Sequence, residues 1–543
     1  MILALLVVLA LAEAYRRTRH RLRALWPVLR RDSGELRARA VISLRRVTIG
    51  EWIAIGALTA LAIAIRWGPL FQPMRYDEAA TWIDYASQPL AKSLSDYRFP
   101  NNHLFHTLLV HFAAALFGSE PWALRLPAFI AGVLVVPLTW AAGRAVFSPS
   151  AGLISAALAA TSASLTLYST SARGYTMLCC LTLLTVLVAA RLPRRENSAA
   201  WAEIALLGAL GIWTIPIMLY PLTGIALWLW AEARAGDTVI GPRVMAARLQ
   251  WTALATACAA ALLYLPVIAR SGIALVVGNR FVRPQSRQSF FAELPEFYRA
   301  VWSDWTRGWP WWLGVLVAIG LVAATILRGS RARRSVSLAG SAIVAATLLL
   351  LLNGRIPYVR VWLYLLPLVL IAAGGGLTHL WRRIARALPT LQRPGVGMAL
   401  LVVVLLLVAA GGALGTVRSR VVRTADDTGV FPAARAVAGE LLARAKEGDR
   451  VIATAPSDLP LAYYLGPSGK GRALLHATPD SAQRIWVVVN EAESQDVNVL
   501  LRRAEIMTVD FSPPRAAWRG PQARIFVIER ERPGCRLAPE RCR

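Results

Sequence analysis

The sequence predicts a polytopic membrane protein, all-α in its membrane part. It has about 11 (11–13) transmembrane helices, a long first outer loop with interfacial helices, and a small C-terminal extracytoplasmic α/β domain. Three observations predict this. The 543 residues are 56% hydrophobic and 17% charged, too apolar for a soluble chain of this length. Apolar runs of about 20 residues recur along the chain, the length a helix needs to cross the hydrocarbon core. Sixty Lys and Arg against 31 acids give a formal charge of +29, and the arginines gather in short tracts between the apolar runs. In a soluble protein that charge would suggest nucleic acid; placed between membrane spans it marks cytoplasmic loops, so no nucleic-acid partner is expected.

The elements follow in order. Met1–Ala14 is apolar but only 14 residues long, with no basic residue before it, so it matches neither a signal peptide nor a full span and is read as a short helix or interfacial segment. Arg16–Arg46 is basic and assigned to the cytoplasm, which makes 1–49 an N-terminal cytoplasmic region. Spans are placed at roughly 50–70, 122–144, 150–170, 174–191, 199–216, 217–233, 249–269, 310–328, 335–353, 361–379 and 395–415, within a membrane domain of 50–416. With Arg16–Arg46 inside, the loops 143–149, 191–198, 232–248, 328–334 and 381–393 also fall inside, and all bear arginine. Counting Leu104–Phe117 as a span would invert every later loop, so this 14-residue run is read as an interfacial helix. The first outer loop then runs from about Phe71 to Pro121, far longer than a connector needs, and loops of that length are usually functional. Residues 417–543 read as a soluble α/β domain, with helices at 433–445 and 497–504 and strands at 450–455, 485–490 and 525–529. Cys179, Cys180 and Cys258 lie in apolar runs and read as packing residues, whereas Cys535 and Cys542 could pair only in an oxidising compartment.

The residues that can carry chemistry cluster in the outer loops. Asp77 and Glu78 follow the first span, in Arg75-Tyr76-Asp77-Glu78, and ionisable groups at a bilayer boundary are costly unless they serve a substrate, an ion or a proton. Adjacent residues do not share a face, so one of the two is expected to act, and Asp77 is preferred as base; Glu78 equally suits the first turn of a helix over 79–86. Asn101, Asn102, His103 and His106 lie at a Pro-containing turn before the interfacial helix and read as polar lining for sugar hydroxyls or phosphate. A zinc site at His103 and His106 is the weaker alternative, since spacing alone supports it; His111 lies further round the helix. Arginines on the outer face are unexpected under the positive-inside rule, yet Arg173, Arg280, Arg283, Arg287, Arg355 and Arg360 fall there. They suit an anionic lipid phosphate, which guanidinium binds through two hydrogen bonds, or ordinary lipid headgroups. Trp302, Trp305, Trp309, Trp311 and Trp312 read mostly as an interfacial belt.

The order of these features resembles the GT-C membrane glycosyltransferases, specifically glycosyltransferase family 39 of the protein-mannosyltransferase type and its bacterial RgtA/B/C/D-like relatives. The resemblance rests on Asp77-Glu78 after the first span, the turn Pro100–His106, Phe117-Gly118-Ser119-Glu120, Leu124-Arg125-Leu126-Pro127, Tyr168-Ser169, Ala172–Tyr175, and Arg360 with Tyr364-Leu365-Leu366-Pro367. It covers about residues 50–380. It implies inverting transfer of a hexosyl or pentosyl group from a polyprenyl-phosphate donor to a glycan, lipid or protein acceptor at the outer face of the cytoplasmic membrane. Asp77 would be the base, Glu78 its reserve, and Arg360 and Arg173 would lie near the donor phosphate, with Arg75, Tyr175 and Tyr364 completing the substrate-binding set. Some relatives carry a second acid after the third span where this chain has Arg173-Gly174-Tyr175, which disfavours a divalent metal, so no metal ligand is assigned. A transporter or flippase of lipid-linked sugars, or a scaffold without activity, is the alternative; no internal repeat favours a transporter.

Overall fold

Thr48 sets the start of the first membrane helix in the computed structural model, which describes residues 26–278, 285–326, 330–393, 395–424, 428–476, 482–506 and 511–531. Its hydroxyl accepts from the Glu51 N–H while the Glu51 carboxylate accepts from the Thr48 N–H, a capping box that opens α1 (Ile49–Leu70). Glu51 also receives Arg144 at 2.9 Å, tying the start of α1 to a residue 93 positions on.

At the far end of α1 the chain enters the first loop. A short helix α2 (Tyr76–Thr81) runs into a π-turn over Trp82–Ala86, then an amphipathic helix α3 (Leu104–Phe117) follows. Phe112, Leu116 and Phe117 remain at least half exposed while Leu104, His106 and Val110 are buried, the two-faced pattern expected of a helix lying at the membrane surface. Next come α4 (Pro121–Val146), with Pro121 at its first turn, then α5 (Pro149–Thr161), α6 (Ala163–Ser169) and α7 (Tyr175–Ala189).

The span expected at 150–170 is broken: α5 and α6 meet at 62°. Ser162 adopts an extended backbone and caps α6 by accepting from the Leu165 N–H. The break frees the Thr161 carbonyl, which accepts from Trp309 Nε1 at 2.9 Å and Thr416 Oγ1 at 2.7 Å. A second departure is the amphipathic helix α8 (Arg287–Thr306), in a stretch between the spans at 249–269 and 310–328 where the sequence predicts no helix. Phe290, Phe297, Val301 and Trp305 face inward at helical spacing, and α8 turns through 116° into the apolar helix α9 (Trp311–Ile326). The tryptophan belt expected here is therefore split: Trp305 and Trp309 are buried, and Trp311 is 80% exposed.

Helices occupy all the expected span ranges, but among the described residues six are long and apolar enough to cross a membrane, or up to eight if each bent pair is one span. Ser198–Thr214 and Leu338–Asn353 are shorter apolar helices. The chain is thus a multi-pass membrane protein. Its bundle is held by close backbone approach as well as by large side chains. In α10 (Leu365–Ala387) a Cβ added at Gly376 would collide with the Gly320 carbonyl oxygen and lie 2.7 Å from the Ala324 N of α9. Small residues at such crossings are the usual device for packing helices in lipid. We expect Gly376→Leu to lower thermal stability in detergent by about 1–3 kcal/mol through overpacking, whereas Leu352→Ala, at an 83% exposed position, should leave the melting temperature unchanged.

The C-terminal residues form a four-stranded sheet in the order β1-β2-β4-β3, with β1 (Arg450–Ile452), β2 (Arg484–Asn490), β3 (Arg515–Gly520) and β4 (Ala523–Glu529). β1 runs parallel to β2; the other pairs are antiparallel. Helices Ala434–Arg444, Asp458–Leu465 and Gly469–His476 pack on one face and Val497–Arg503 on the other. The sequence reading missed β3, whose segment Arg-Ala-Ala-Trp-Arg-Gly has little strand character alone and is recruited by the tight turn into β4 at Gln522, φ 60°. It also missed Asp458–Leu465 and Gly469–His476. The expected features at Met1–Ala14, Arg280, Arg283, Cys535 and Cys542 lie outside the described residues.

Candidate functional site

Helix α2 starts because Glu78, in its first turn, reaches back to accept the Arg75 N–H at 3.0 Å. That carboxylate is completely committed. Arg125 of α4 donates to Glu78 Oε1 at 2.8 Å and Oε2 at 2.6 Å, and the Ala172 N–H donates to Oε1 at 2.6 Å, with neither Arg125 nor Glu78 exposed. The remaining Arg125 donors hold the carbonyls of Leu70, Gln72 and Pro73. Burial would raise the Glu78 carboxyl, but the Arg125 guanidinium and Arg75 overcome it and hold the group below the ordinary carboxylate range. Glu78 is therefore a clamp between the end of α1, α2, α4 and the turn before α7. It has no lone pair left for an incoming substrate.

Asp77, one residue earlier and on another face of α2, has a different environment. Its Oδ2 lies 3.5 Å from Arg360 NH2, and both side chains keep partial access to solvent, 15% and 13%. Arg360 Nε donates to the Tyr175 hydroxyl at 3.2 Å, and its guanidinium lies 4.4 Å from the centre of the Tyr358 ring. The short 3-10 turn carrying Arg360 (Val359–Trp362) is anchored by Trp362, buried between Phe297 of α8 and Tyr298 at 4.9 and 5.5 Å. Tyr175 packs edge-on against Tyr168 at 5.0 Å and against His103 at 5.3 Å. A carboxylate, a guanidinium, a phenol and an imidazole thus converge from α2, the segment before α10, α7 and the start of α3.

Behind this group, Arg173 is buried and donates to Thr81 Oγ1 at 2.8 Å and to the Asn101 carbonyl and side-chain oxygens at 2.7 and 3.0 Å. The Gly174 N–H donates to His103 Nδ1 at 2.9 Å, so Nε2 carries the ring proton, and its 3.3 Å approach to Arg173 NH2 is a contact between two donors. Asn102 builds the turn by donating to the Ser93 and Asp96 carbonyls. Arg75 NH2 donates to Gln72 Oε1 and the Val422 carbonyl. Tyr364 is 1% exposed, in the helical core. Of the residues expected to bind substrate, then, Arg360, Tyr175 and His103 gather with Asp77. Asn101, Asn102, Arg75 and Arg173 shape the loop behind them, and Tyr364 stands apart.

His106 is wholly buried, and neither ring nitrogen has a hydrogen-bond partner among the described residues. Burial, and then the charge of Arg173, push it down to about 3; the same two causes hold His103 below the ordinary range. Unfolding lets His106 take up a proton near its ordinary 6.5, so the stability it supports is complete above pH 6.5 and falls as pH drops toward 3. We expect the melting temperature in detergent to decline across that window, and His106→Leu to flatten the decline. An unchanged slope in that variant would assign acid sensitivity elsewhere.

The C-terminal unit closes over the loop. Tyr464 OH accepts from the Met74 N–H at 3.0 Å, Tyr463 OH donates to the Ser119 carbonyl, Arg435 pairs with Glu120, and the Tyr76 N–H donates to the Gly429 carbonyl at 2.9 Å. Burial raises the Tyr76 phenol, and the charges of Asp458, Asp77 and Asp84 raise it further. Among the described residues no three His, Cys, Asp or Glu side chains converge with metal-ligand geometry. The sequence reading gave no role to Arg125 or to the C-terminal tyrosines. Arg125, like the buried Arg66 of α1 that donates to Ser169 and to the Ala62 and Ala160 carbonyls, was findable as a cation inside an apolar run. The tyrosines carried no such signal.

Residues 102–269 match the family model described as dolichyl-phosphate-mannose-protein mannosyltransferase. No curated protein sequence matches the chain significantly. Among solved structures, the fold is similar to ArnT from Cupriavidus metallidurans in the apo state, at 13% identity and TM-score 0.57, covering 88% of this chain and 97% of that one. The same protein bound to undecaprenyl phosphate matches at 14% identity and TM-score 0.57, covering 88% and 98%. Oligosaccharyltransferase AglB from Archaeoglobus fulgidus, in complex with an inhibitory peptide and a dolichol-phosphate, matches at 12% identity and TM-score 0.51, covering 82% and 70%.

Proposed function

We propose that this chain, which has the GT-C fold and carries over residues 102–269 the sequence pattern of the protein-mannosyltransferase family, transfers a sugar from a polyprenyl-phosphate donor to an acceptor hydroxyl. The observation that carries the reading is the pairing of Asp77 with Arg360 at 3.5 Å, both partly accessible, at the end of the bundle where the first loop lies. Asp77 takes the proton of the attacking hydroxyl. The new glycosidic bond forms as the bond from the anomeric carbon to the phosphate oxygen breaks, and that oxygen keeps the electron pair. Arg360, steadied by Tyr175, stabilises the charge that develops there, an interaction stronger in the transition state than in the ground state. A single base on the face opposite the leaving group inverts the anomeric centre. The ArnT structure with undecaprenyl phosphate and the AglB structure with dolichol-phosphate support a lipid-phosphate donor.

Arginine in every loop assigned to the inside supports an outer-face position for Asp77, Arg360 and the C-terminal unit, with 1–49 inside, 50–416 as the catalytic membrane domain and 417–543 outside. The acceptor is a glycan, lipid or protein hydroxyl. The test is reconstitution of the full chain in vesicles with polyprenyl-phosphate sugars and native envelope extract as acceptor. Acceptor-dependent release of polyprenyl phosphate supports the reading. Movement of the lipid-linked sugar between leaflets without release contradicts it and favours a flippase.

A further inference from the structure

The two edges of the C-terminal sheet are not alike. The β3 edge carries Arg515 and Arg519 and is broken by a register shift between Ala516 and Trp518, features that blunt an edge against pairing. The opposite edge, β1, pairs only with β2 among the described residues, and its register over Arg450, Val451 and Ile452 has no bulge. Strands leave alternate backbone N–H and C=O groups pointing away from their partner, so an edge of this kind is a template for a further strand.

Along that edge runs a cleft of about 400 Å³. Its lining includes every residue from Arg450 to Thr454. It also takes Leu461, Ala462 and Leu475 from the helices on one face of the sheet and Arg503 and Ala504 from the other face. A cavity touched by both helical layers and by each residue of the strand lies beyond the sheet's edge, where the next strand would sit. The three residues of β1 span about 10 Å, and Ala453 and Thr454 continue the wall, so the cleft takes a short peptide.

We propose that the open edge of β1 docks an extended, acidic polypeptide segment of a partner protein by strand addition. The charge of the cleft selects the acidic partner. Arg450 Nε and NH1 are buried without a hydrogen-bond partner among the described residues, and Arg503 adds a second, exposed guanidinium on the same wall. A carboxylate there satisfies donors that the protein leaves unpaired. At the other end of the strand, buried Asp458 Oδ1 also lacks a partner and suits a backbone N–H or a hydroxyl of the same segment. The apolar lining of Leu459, Leu461, Ala462 and Leu475 takes aliphatic side chains at alternate positions of the added strand, and among the described residues no aromatic ring lines the cleft for a sugar to stack on. Asp458 begins the helix that packs against α2, so a docked segment lies on the same side of the molecule as Asp77.

The test uses the full chain in detergent, panned against a displayed library of random octapeptides, with the enriched sequences resynthesised with a fluorescent label. The proposal predicts enrichment of sequences with Asp or Glu among β-branched residues. Affinity should fall at least tenfold in Arg450→Met, at least tenfold in Arg503→Glu, whose exposed site at a helix end leaves the fold intact, and at least tenfold when alternate backbone amides of the peptide are N-methylated. Asp77→Asn should bind as tightly as the wild type, which separates this proposal from the transfer chemistry. Absence of any enriched sequence, or wild-type affinity in both arginine variants, overturns it.

Discussion

Asp77→Asn lowers sugar transfer by about 10²–10⁴-fold and leaves the melting temperature within about 1 °C of the wild type. The amide has nearly the same shape as the carboxylate and takes no proton, so the hydroxyl must attack with its proton still attached. Stability is spared because the Asp77–Arg360 contact, at 3.5 Å, is long for an ion pair, and the Asn amide oxygen can still accept from the guanidinium. The loss appears in kcat and in kcat/KM together, the signature of an interaction made in the transition state. Arg360→Met should give a loss of about 10²–10³-fold, comparable to removing one donor from an oxyanion site. Transfer assays on membranes holding equal amounts of each variant check both. Wild-type turnover by Asp77→Asn would remove the base from the scheme.

Arg125→Met produces the largest effect on stability, a loss of about 3–5 kcal/mol. It strands the Glu78 carboxylate, fully buried, with its strongest partner gone, and it leaves the carbonyls of Leu70, Gln72 and Pro73 without their donor. Glu78→Gln is destabilising for the converse reason, an uncompensated guanidinium at zero exposure. The double variant Arg125→Met, Glu78→Gln should recover part of the loss, because no unpaired charge remains. Thermal unfolding in detergent measures all three. Additive losses in the double variant would mean that the two groups act separately, against the clamp described above. Transfer by the single variants should fall in step with the folded fraction, unlike the selective loss in Asp77→Asn.

These two neighbours illustrate what the sequence could and could not carry. That Asp77 and Glu78 cannot share a helix face follows from the backbone alone, and the structure turns Asp77 toward Arg360 and Glu78 toward Arg125. Which of them faces the accessible side depends on a pairing across 47 residues, with Arg125, that no local pattern reveals. Spans were legible because length and apolarity are local properties. The break at Ser162 was not, because the signal lies in donors from Trp309 and Thr416 that wait to receive the freed carbonyl. Helix α8 was missed for a related reason. Its mean polarity resembles a loop, and only the spacing of Phe290, Phe297, Val301 and Trp305 marks the buried face. The polar turn at Asn101–His106 reads as one cluster in the sequence, yet its members divide: His103 meets Tyr175, Asn102 ties the turn together, and His106 is buried with no hydrogen-bond partner among the described residues. Composition located the loop, and tertiary contacts assigned the roles.

The most direct measurement of the central claim is an experimental density map of the full chain in lipid nanodiscs with bound polyprenyl phosphate. The account predicts phosphate density within hydrogen-bond distance of the Arg360 guanidinium, on the side facing Asp77 and Tyr175, with the prenyl tail running into the membrane part of the bundle. Phosphate held elsewhere, with Arg360 still closed on Asp77, would contradict it.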